Sequence, residues 1–108
     1  MPDAAILVLT QLPDRASAEA LATALVEARL AACVSIGAPV TSLYHWRGRI
    51  ETANEVTLAV KTRRECYPGV EAAILARHPY ELPEILAVPV VDGFSPYLDW
   101  IAVETTAR

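Results

Sequence analysis

The feature that most constrains the fold is a long stretch, residues 32–62, over most of which apolar side chains recur at every second position. A period of two is typical of an extended strand with one face against a core, because successive side chains point to opposite faces. The dipeptide Arg47-Gly48 interrupts the stretch near its middle, where glycine can supply the positive φ that a tight turn requires. We therefore predict a long β-hairpin with arms at residues 33–46 and 49–62.

The segment before the hairpin contains one pattern typical of a strand and one typical of a helix. Residues 4–9 are a short apolar run rich in branched side chains, which favours a buried strand. Residues 15–29 carry apolar side chains at helical spacing, and Asp14 stands where a helix N-cap belongs. This segment is therefore predicted to form a strand followed by an amphipathic helix.

The segment after the hairpin begins with a second helix signal. Pro68 suits the first turn of that helix, and Pro79 ends it, because proline disfavours helical backbone at the residue before it. Residues 85–91 are almost continuously apolar, which predicts a strand buried on both faces. Ser95-Pro96 then opens a last short helix.

The predicted order of strand, helix, strand, strand, helix, strand is typical of the α+β class with a ferredoxin-like βαββαβ arrangement. In that arrangement both helices pack on one face of an antiparallel sheet. Here it would include the long hairpin between the second and third strands and an extra C-terminal helix. The chain of 108 residues is long enough for one domain, which we assign to residues 1–108.

Charge and cysteine content narrow the function classes. Thirteen acidic and nine basic residues give a net charge of −4, so the chain lacks the basic surface that binds nucleic acid or anionic lipid. No apolar run approaches the roughly 20 residues that span a bilayer, and Met1-Pro2-Asp3 lacks the cationic flank of a signal peptide. Two cysteines are too few for a disulfide scaffold. We expect a cytoplasmic protein with free thiols and with neither a nucleic-acid nor a membrane partner.

The apolar content indicates an oligomer. An apolar fraction of 54% is high for a small monomer, which has few interior positions for such side chains. Each extended arm of the hairpin would span about 46 Å and would reach beyond its own core. The tip carries four large apolar side chains, Leu43, Tyr44, Trp46 and Ile50, that a monomer would leave in water. We place these four residues at a subunit interface.

The segment from His78 to Glu84, with the sequence HPYELPE, concentrates residues that can carry chemistry. A histidine with carboxylates nearby can bind a divalent metal or exchange protons, and the two prolines would hold the side chains in place. The alternative is a helix end followed by a stiff loop. Cys33 also has two interpretations, a thiolate ligand or a small apolar side chain in the core.

The sequence carries no recognisable catalytic motif. Ser35, Ser42 and Ser95 lack the glycines of a nucleophile elbow, and the four scattered glycines exclude a phosphate-binding loop. We therefore expect that the chain is not an enzyme.

Several short segments, in this order and spacing, resemble the CutA divalent-cation tolerance family over essentially the whole chain. They are Leu30-Ala-Ala-Cys-Val34, Thr41-Ser-Leu-Tyr-His-Trp-Arg-Gly48, Val60-Lys-Thr62, His78-Pro-Tyr80 with Pro83-Glu84, and Tyr97-Leu-Asp-Trp100. The resemblance implies a cytoplasmic homotrimer of ferredoxin-like subunits. It also implies a role linked to copper or other divalent cations.

The metal ligands that the resemblance implies are matched only in part. Some bacterial relatives offer a cysteine at the end of the first strand and a His-His pair before the Pro-Tyr. This chain has Thr10 at the first position and Arg77 followed by His78 at the second, so only His78 matches. We therefore expect weak binding of Cu²⁺ or another divalent cation, with His78, Glu84 and Cys33 as candidate ligands. The alternative is a trimeric sensor or scaffold that binds a small ligand or a partner protein between subunits, without a physiological metal.

Overall fold

A four-stranded antiparallel sheet, in the strand order β2-β3-β1-β4, organises the chain. The structure is a computed structural model that describes residues 4–106, so residues 1–3, on which the signal-peptide prediction depends, lie outside the described residues. In chain order the elements are β1 (Ala5–Leu12), α1 (Arg15–Glu27), β2 (Cys33–Trp46), β3 (Arg49–Arg63), α2 (Tyr67–Arg77), β4 (Leu86–Pro89) and α3 (Ser95–Glu104). This order confirms the predicted ferredoxin-like arrangement.

The core lies between the helices and one face of the sheet. Along β1, buried and half-buried residues alternate strictly, as expected for a strand with one face against helices. The Asp14 carboxylate caps α1 by accepting a hydrogen bond from the Ser17 amide at 2.8 Å, which confirms the predicted N-cap. The largest fully buried apolar side chains come from helices α1 and α2 and from the central strands β1 and β3: Val8, Leu12, Leu21, Leu25, Leu58, Val60, Val70 and Ile74.

The hairpin of β2 and β3 has the predicted arms and turn. Both turn residues have positive φ, 51° at Arg47 and 79° at Gly48, which suits the twist of a two-residue hairpin turn. The register shifts between Ile36 and Pro39, and β2 is an edge strand, so the proline costs the sheet no central hydrogen bond. The described chain measures 45 × 26 × 23 Å. Its long dimension is close to the length of one fully extended arm.

Strand β4 differs from its prediction. The apolar run at residues 85–91 predicts a strand buried on both faces, but β4 covers only Leu86–Pro89 and all four of its residues are exposed. The prediction of burial is wrong for a single chain because β4 is an edge strand with β1 as its one neighbour in the sheet. The side chains of Leu86 and Val88 are 55% and 42% exposed. Among residues 4–106, no helix has the length and apolar character needed to cross a bilayer.

Candidate functional site: a cleft beneath the hairpin

The hairpin and the loop that follows α2 enclose a cleft of about 850 Å³, which we call the hairpin cleft. Residues 42–46 of β2 form one wall and residues 79–84 of the loop form the other, with Gln11 and Glu55 completing the lining. The lining therefore combines aromatic rings with three carboxylates and few basic groups. It contains most of the segment that the sequence singles out.

His78 fixes the loop to the end of β1. Its Nε2 atom lies 2.5 Å from the Gln11 carbonyl oxygen, and its Nδ1 atom accepts a hydrogen bond from the Tyr80 amide at 3.2 Å. Because a carbonyl oxygen can only accept, Nε2 is the donor in the first contact, whereas Nδ1 is the acceptor in the second. Both ring nitrogens are therefore engaged. The two rings also lie side by side, with 4.7 Å between the centroids of His78 and Tyr80.

Tyr80 and Glu55 form the inner part of the cleft. Glu55 is only 7% exposed, although it lies on β3 of the hairpin. Burial, and then a hydrogen bond to the Glu55 carboxylate, raise the pKa of Tyr80 to about 12. In this hydrogen bond the phenol is the donor and the Glu55 carboxylate is the acceptor. Within residues 4–106, Glu55 takes part in no ion pair.

The other two carboxylates of the cleft belong to the loop. Burial, and then the negative charge of Glu55, raise the pKa of Glu84. Glu81 instead pairs with Arg47 of the hairpin turn, whose Nη2 atom lies 3.1 Å and 3.2 Å from the two carboxylate oxygens. Both partners are about 70% exposed, so this pair adds little stability, but it links the hairpin tip to the loop. The Arg47 guanidinium also lies over the Trp46 ring, 5.3 Å from its centroid.

Cys33 lies apart from the cleft. It pairs with Lys61 across the sheet, and Lys61 in turn pairs with Leu7 of β1. His78 contacts β1 at Gln11, four residues further along, which corresponds to about 13 Å of extended strand. The Cys33 thiol lies 3.9 Å from the Lys61 ammonium and also interacts with the Tyr97 side chain. His78 and Glu84 therefore flank the same loop, but only Glu84 lines the hairpin cleft, and Cys33 lies away from both. In the described part of the chain, no three His, Cys, Asp or Glu side chains are arranged to hold a metal ion.

Comparison with known proteins identifies the family. The family model described as CutA1 divalent ion tolerance protein matches residues 6–104. The chain belongs to this family. The divalent-cation tolerance protein CutA of Thermus thermophilus is 42% identical over 99 residues, which are 92% of this chain and 96% of that protein.

Solved CutA structures have the same fold. CutA1 from Shewanella sp. SIB1 superimposes with a TM-score of 0.93 at 42% identity, covering 99% of this chain and 100% of that one. The protein from Archaeoglobus fulgidus, described as a periplasmic divalent cation tolerance protein CutA, gives a TM-score of 0.92 at 37% identity and covers 94% and 99% of the two chains. Because a related protein is described as periplasmic, a cytoplasmic location for this chain stays a prediction.

The two positions at which this chain departs from the ligands implied by the CutA resemblance have different surroundings. Thr10 is completely buried, and its hydroxyl has no hydrogen-bond partner among the described residues. Arg77 is exposed in the last turn of α2, directly before His78. Neither residue lines the hairpin cleft.

The four predicted interface residues all lie at the hairpin tip. Leu43 and Ile50 are 69% and 70% exposed, whereas Tyr44 is 43% exposed and Trp46 is half-buried. The register pairs Tyr44 with Glu51 and Trp46 with Arg49, as the position of the turn predicts. All four side chains remain partly in contact with solvent in a single chain.

Glu55 is the cleft residue that sequence reasoning missed. The sequence around Glu55 gives one local indication of its position. Glu55 directly precedes Val56, the residue from which buried and half-buried residues alternate along β3. Tyr80 and Glu81 lie within the segment singled out in the sequence, but their partners Glu55 and Arg47 are far away along the chain. Those pairings depend on how the loop crosses the hairpin.

Proposed function

We propose that the chain serves divalent-cation tolerance as a cytoplasmic homotrimer that binds a divalent cation weakly. The observation that carries the role is membership of the CutA1 divalent ion tolerance family over residues 6–104. The proposal includes no catalytic step.

The exposed apolar surface supports the assembly. Leu43 and Ile50 on the hairpin and Leu86 and Val88 on β4 are all more than 40% exposed in a single chain. A two-stranded ribbon with such side chains is marginal in water, and an open sheet edge invites pairing. Packing each hairpin against a neighbouring copy would bury these groups, with Tyr44 and Trp46 beside them. The number three follows from the family resemblance.

The surroundings of His78 support weak rather than tight metal binding. Cu²⁺ and Zn²⁺ bind readily to imidazole, and Glu84 supplies a carboxylate on the same loop. To coordinate a metal through Nδ1, however, His78 must first release the Tyr80 amide, which is otherwise bonded at 3.2 Å. That lost hydrogen bond reduces the net free energy of binding. We assign His78 and Glu84 as the ligands contributed by one chain, with Cys33 outside this set.

Calorimetric titration with Cu²⁺ and with Zn²⁺ tests the ligand assignment. We expect weak binding to the wild-type protein and weaker binding to His78→Ala and Glu84→Gln. His45→Ala, which removes the only other histidine, and Glu19→Gln, which removes an exposed carboxylate of α1, serve as controls and should bind like the wild type. Sub-micromolar Cu²⁺ affinity retained in His78→Ala would show that the ligands lie elsewhere.

A growth assay tests the role itself. Expression of the chain in a copper-sensitive bacterial strain that lacks its own CutA1-family protein should restore growth in excess Cu²⁺. Growth that stays as poor as with an empty vector, despite normal protein levels, would contradict the role.

The hairpin cleft favours a second candidate function, a trimeric sensor for a small ligand without a physiological metal. Its volume of about 850 Å³ lies within the usual range for small-molecule sites. Under this alternative, neither metal titration would give saturable binding, and a ligand would occupy the cleft instead. A scaffold for a partner protein is a further form of the same alternative.

A further inference from the structure

We propose that the hairpin cleft, which shares Tyr44 and Trp46 with the proposed subunit interface, is a binding site for a small organic cation, an amine or guanidinium compound, held by Glu55 and Glu84 beside the rings of Tyr44, Trp46 and Tyr80. This inference rests on the small-ligand alternative above and does not require that the chain binds a metal.

The buried carboxylate of Glu55 is the first reason. Glu55 is only 7% exposed to solvent. Removing a charged carboxylate from water is costly unless another group pairs with its charge. Glu55 lines the cleft, and among residues 4–106 no cationic group pairs with it. The Tyr80 phenol offers one hydrogen bond but no charge. A cation that enters the cleft would supply the missing charge.

A second negative charge lies close to the first. Glu84 and Glu55 both line the hairpin cleft. Two carboxylates that repel each other both gain when a cation lies between them. The net charge of −4 on the chain would also attract cations toward the cleft.

The third reason is that the chain already places one guanidinium group in this kind of setting at the rim of the cleft. The Arg47 guanidinium lies 5.3 Å from the centroid of the Trp46 ring and 3.1 Å from the Glu81 carboxylate. Aromatic faces attract organic cations, and a carboxylate beside the ring fixes their position. Elsewhere in the lining of the cleft, Tyr44, Tyr80 and Glu55 offer the same combination of groups without an arginine.

The size of the cleft favours an organic cation over a bare metal ion at this position. A volume of about 850 Å³ accommodates a molecule of many atoms. A divalent metal ion needs several oxygen, nitrogen or sulfur ligands converging at about 2.0–2.6 Å. Among the described residues, no three His, Cys, Asp or Glu side chains converge in that way. Rings and separated carboxylates suit a larger ligand with a delocalised or multiple charge.

Calorimetry with putrescine as the probe tests the inference on full-length protein freed of metal by a chelator. We expect saturable binding of putrescine and no saturable binding of butanediol, its uncharged counterpart of the same carbon chain. Glu55→Gln should weaken putrescine binding by about tenfold, because it removes one buried charge partner. Glu19→Gln removes the same charge from an exposed position on α1 and should leave the affinity unchanged. An equal loss in both variants would overturn the site, since it would indicate attraction by net charge alone.

Amide chemical shifts on the wild-type protein provide a test that needs no variant. Putrescine should shift the signals of residues 42–46 and 79–84 with the same affinity that calorimetry measures. The absence of saturable binding, shifts confined to other segments, or equal binding of butanediol would each overturn the inference. Putrescine would also fail to bind if a side chain of a neighbouring copy filled the cleft. That outcome, too, would overturn the inference. Because the protein is metal-free, these outcomes do not depend on the metal-binding proposal.

Discussion

The Nε2 atom of His78 lies 2.5 Å from the backbone carbonyl oxygen of Gln11, which joins the end of α2 to the end of β1. From this contact the loop of residues 79–84 crosses toward the hairpin, where Glu81 meets Arg47 at 3.1 Å. One half-buried histidine thus positions the wall of the hairpin cleft. The same contacts occupy both nitrogens that a metal would use.

We predict that His78→Ala lowers the free energy of unfolding by about 1–2 kcal/mol, because it leaves the Gln11 carbonyl and the Tyr80 amide without partners. Urea denaturation measures the change, and hydrogen exchange at the Tyr80 amide should become faster. His45→Ala removes an exposed histidine of the hairpin and should change the free energy by less than about 0.5 kcal/mol. Equal stability of His78→Ala and the wild type would contradict the structural role.

We predict that Tyr80 makes the protein less stable at alkaline pH. Its pKa is raised from about 10 to about 12, mainly by burial and then by Glu55, so the unfolded chain loses the phenol proton first. The stabilisation is therefore fully present below pH 10 and is lost as the pH rises through about 12. The melting temperature of the wild-type protein should therefore fall between about pH 10 and pH 12. In Tyr80→Phe, which has no phenol to ionise, that fall should be smaller. An equally large fall in Tyr80→Phe would show that other groups cause the loss of stability.

The hairpin shows how much of the fold local sequence determines. A period of two and a turn at Arg47-Gly48 predict arms at residues 33–46 and 49–62, and the structure gives Cys33–Trp46 and Arg49–Arg63. The agreement is close because alternation and turn geometry are properties of neighbouring residues. Asp14 is predictable for the same reason, since an N-cap bonds only to the turn that follows it.

Burial and the site were less predictable because they depend on distant segments. The apolar composition of β4 does not distinguish a central strand from an edge strand, and only the sheet order places it at the edge. Likewise, no local pattern pairs Glu55 with Tyr80 or separates Cys33 from His78. The loop that follows α2 was predictable, because Pro79 ends the helix through its effect on His78, which is a local signal.

We predict that Glu84→Gln stabilises the protein slightly at neutral pH. Burial and the charge of Glu55 raise the pKa of Glu84, so the charged carboxylate is less favourable in the folded state than in the unfolded chain. Stability from that preference is present below the unfolded pKa and is lost as the pH rises through the folded pKa. The variant should therefore exceed the wild type at pH 7 and match it near about pH 3. Much of the side chain is exposed, so the gain is small.

Thermal denaturation at the two pH values measures this difference. Glu19→Gln, in which the removed charge pairs with Arg15, should show no gain at pH 7. A Glu84→Gln protein less stable than the wild type at neutral pH would mean that the Glu84 charge is compensated.

We predict that the double substitution Leu43→Ser with Ile50→Ser weakens assembly and lowers the melting temperature together. Both side chains are about 70% exposed in a single chain, so their loss should matter only where a neighbour covers them. Leu75→Ser, at a leucine of α2 that is 57% exposed, is the matched control and should leave the assembly intact. A double variant that keeps both the mass and the melting temperature of the wild type would remove these residues from the interface.

Multi-angle light scattering of the wild-type protein at micromolar concentration tests the central claim, that this chain works as a homotrimer. We expect a single species of about 35 kDa, three times the 11.7 kDa chain. A mass corresponding to two chains would refute the number three while leaving the exposed apolar surface explained by association. A folded, stable monomer of 11.7 kDa would contradict the claim.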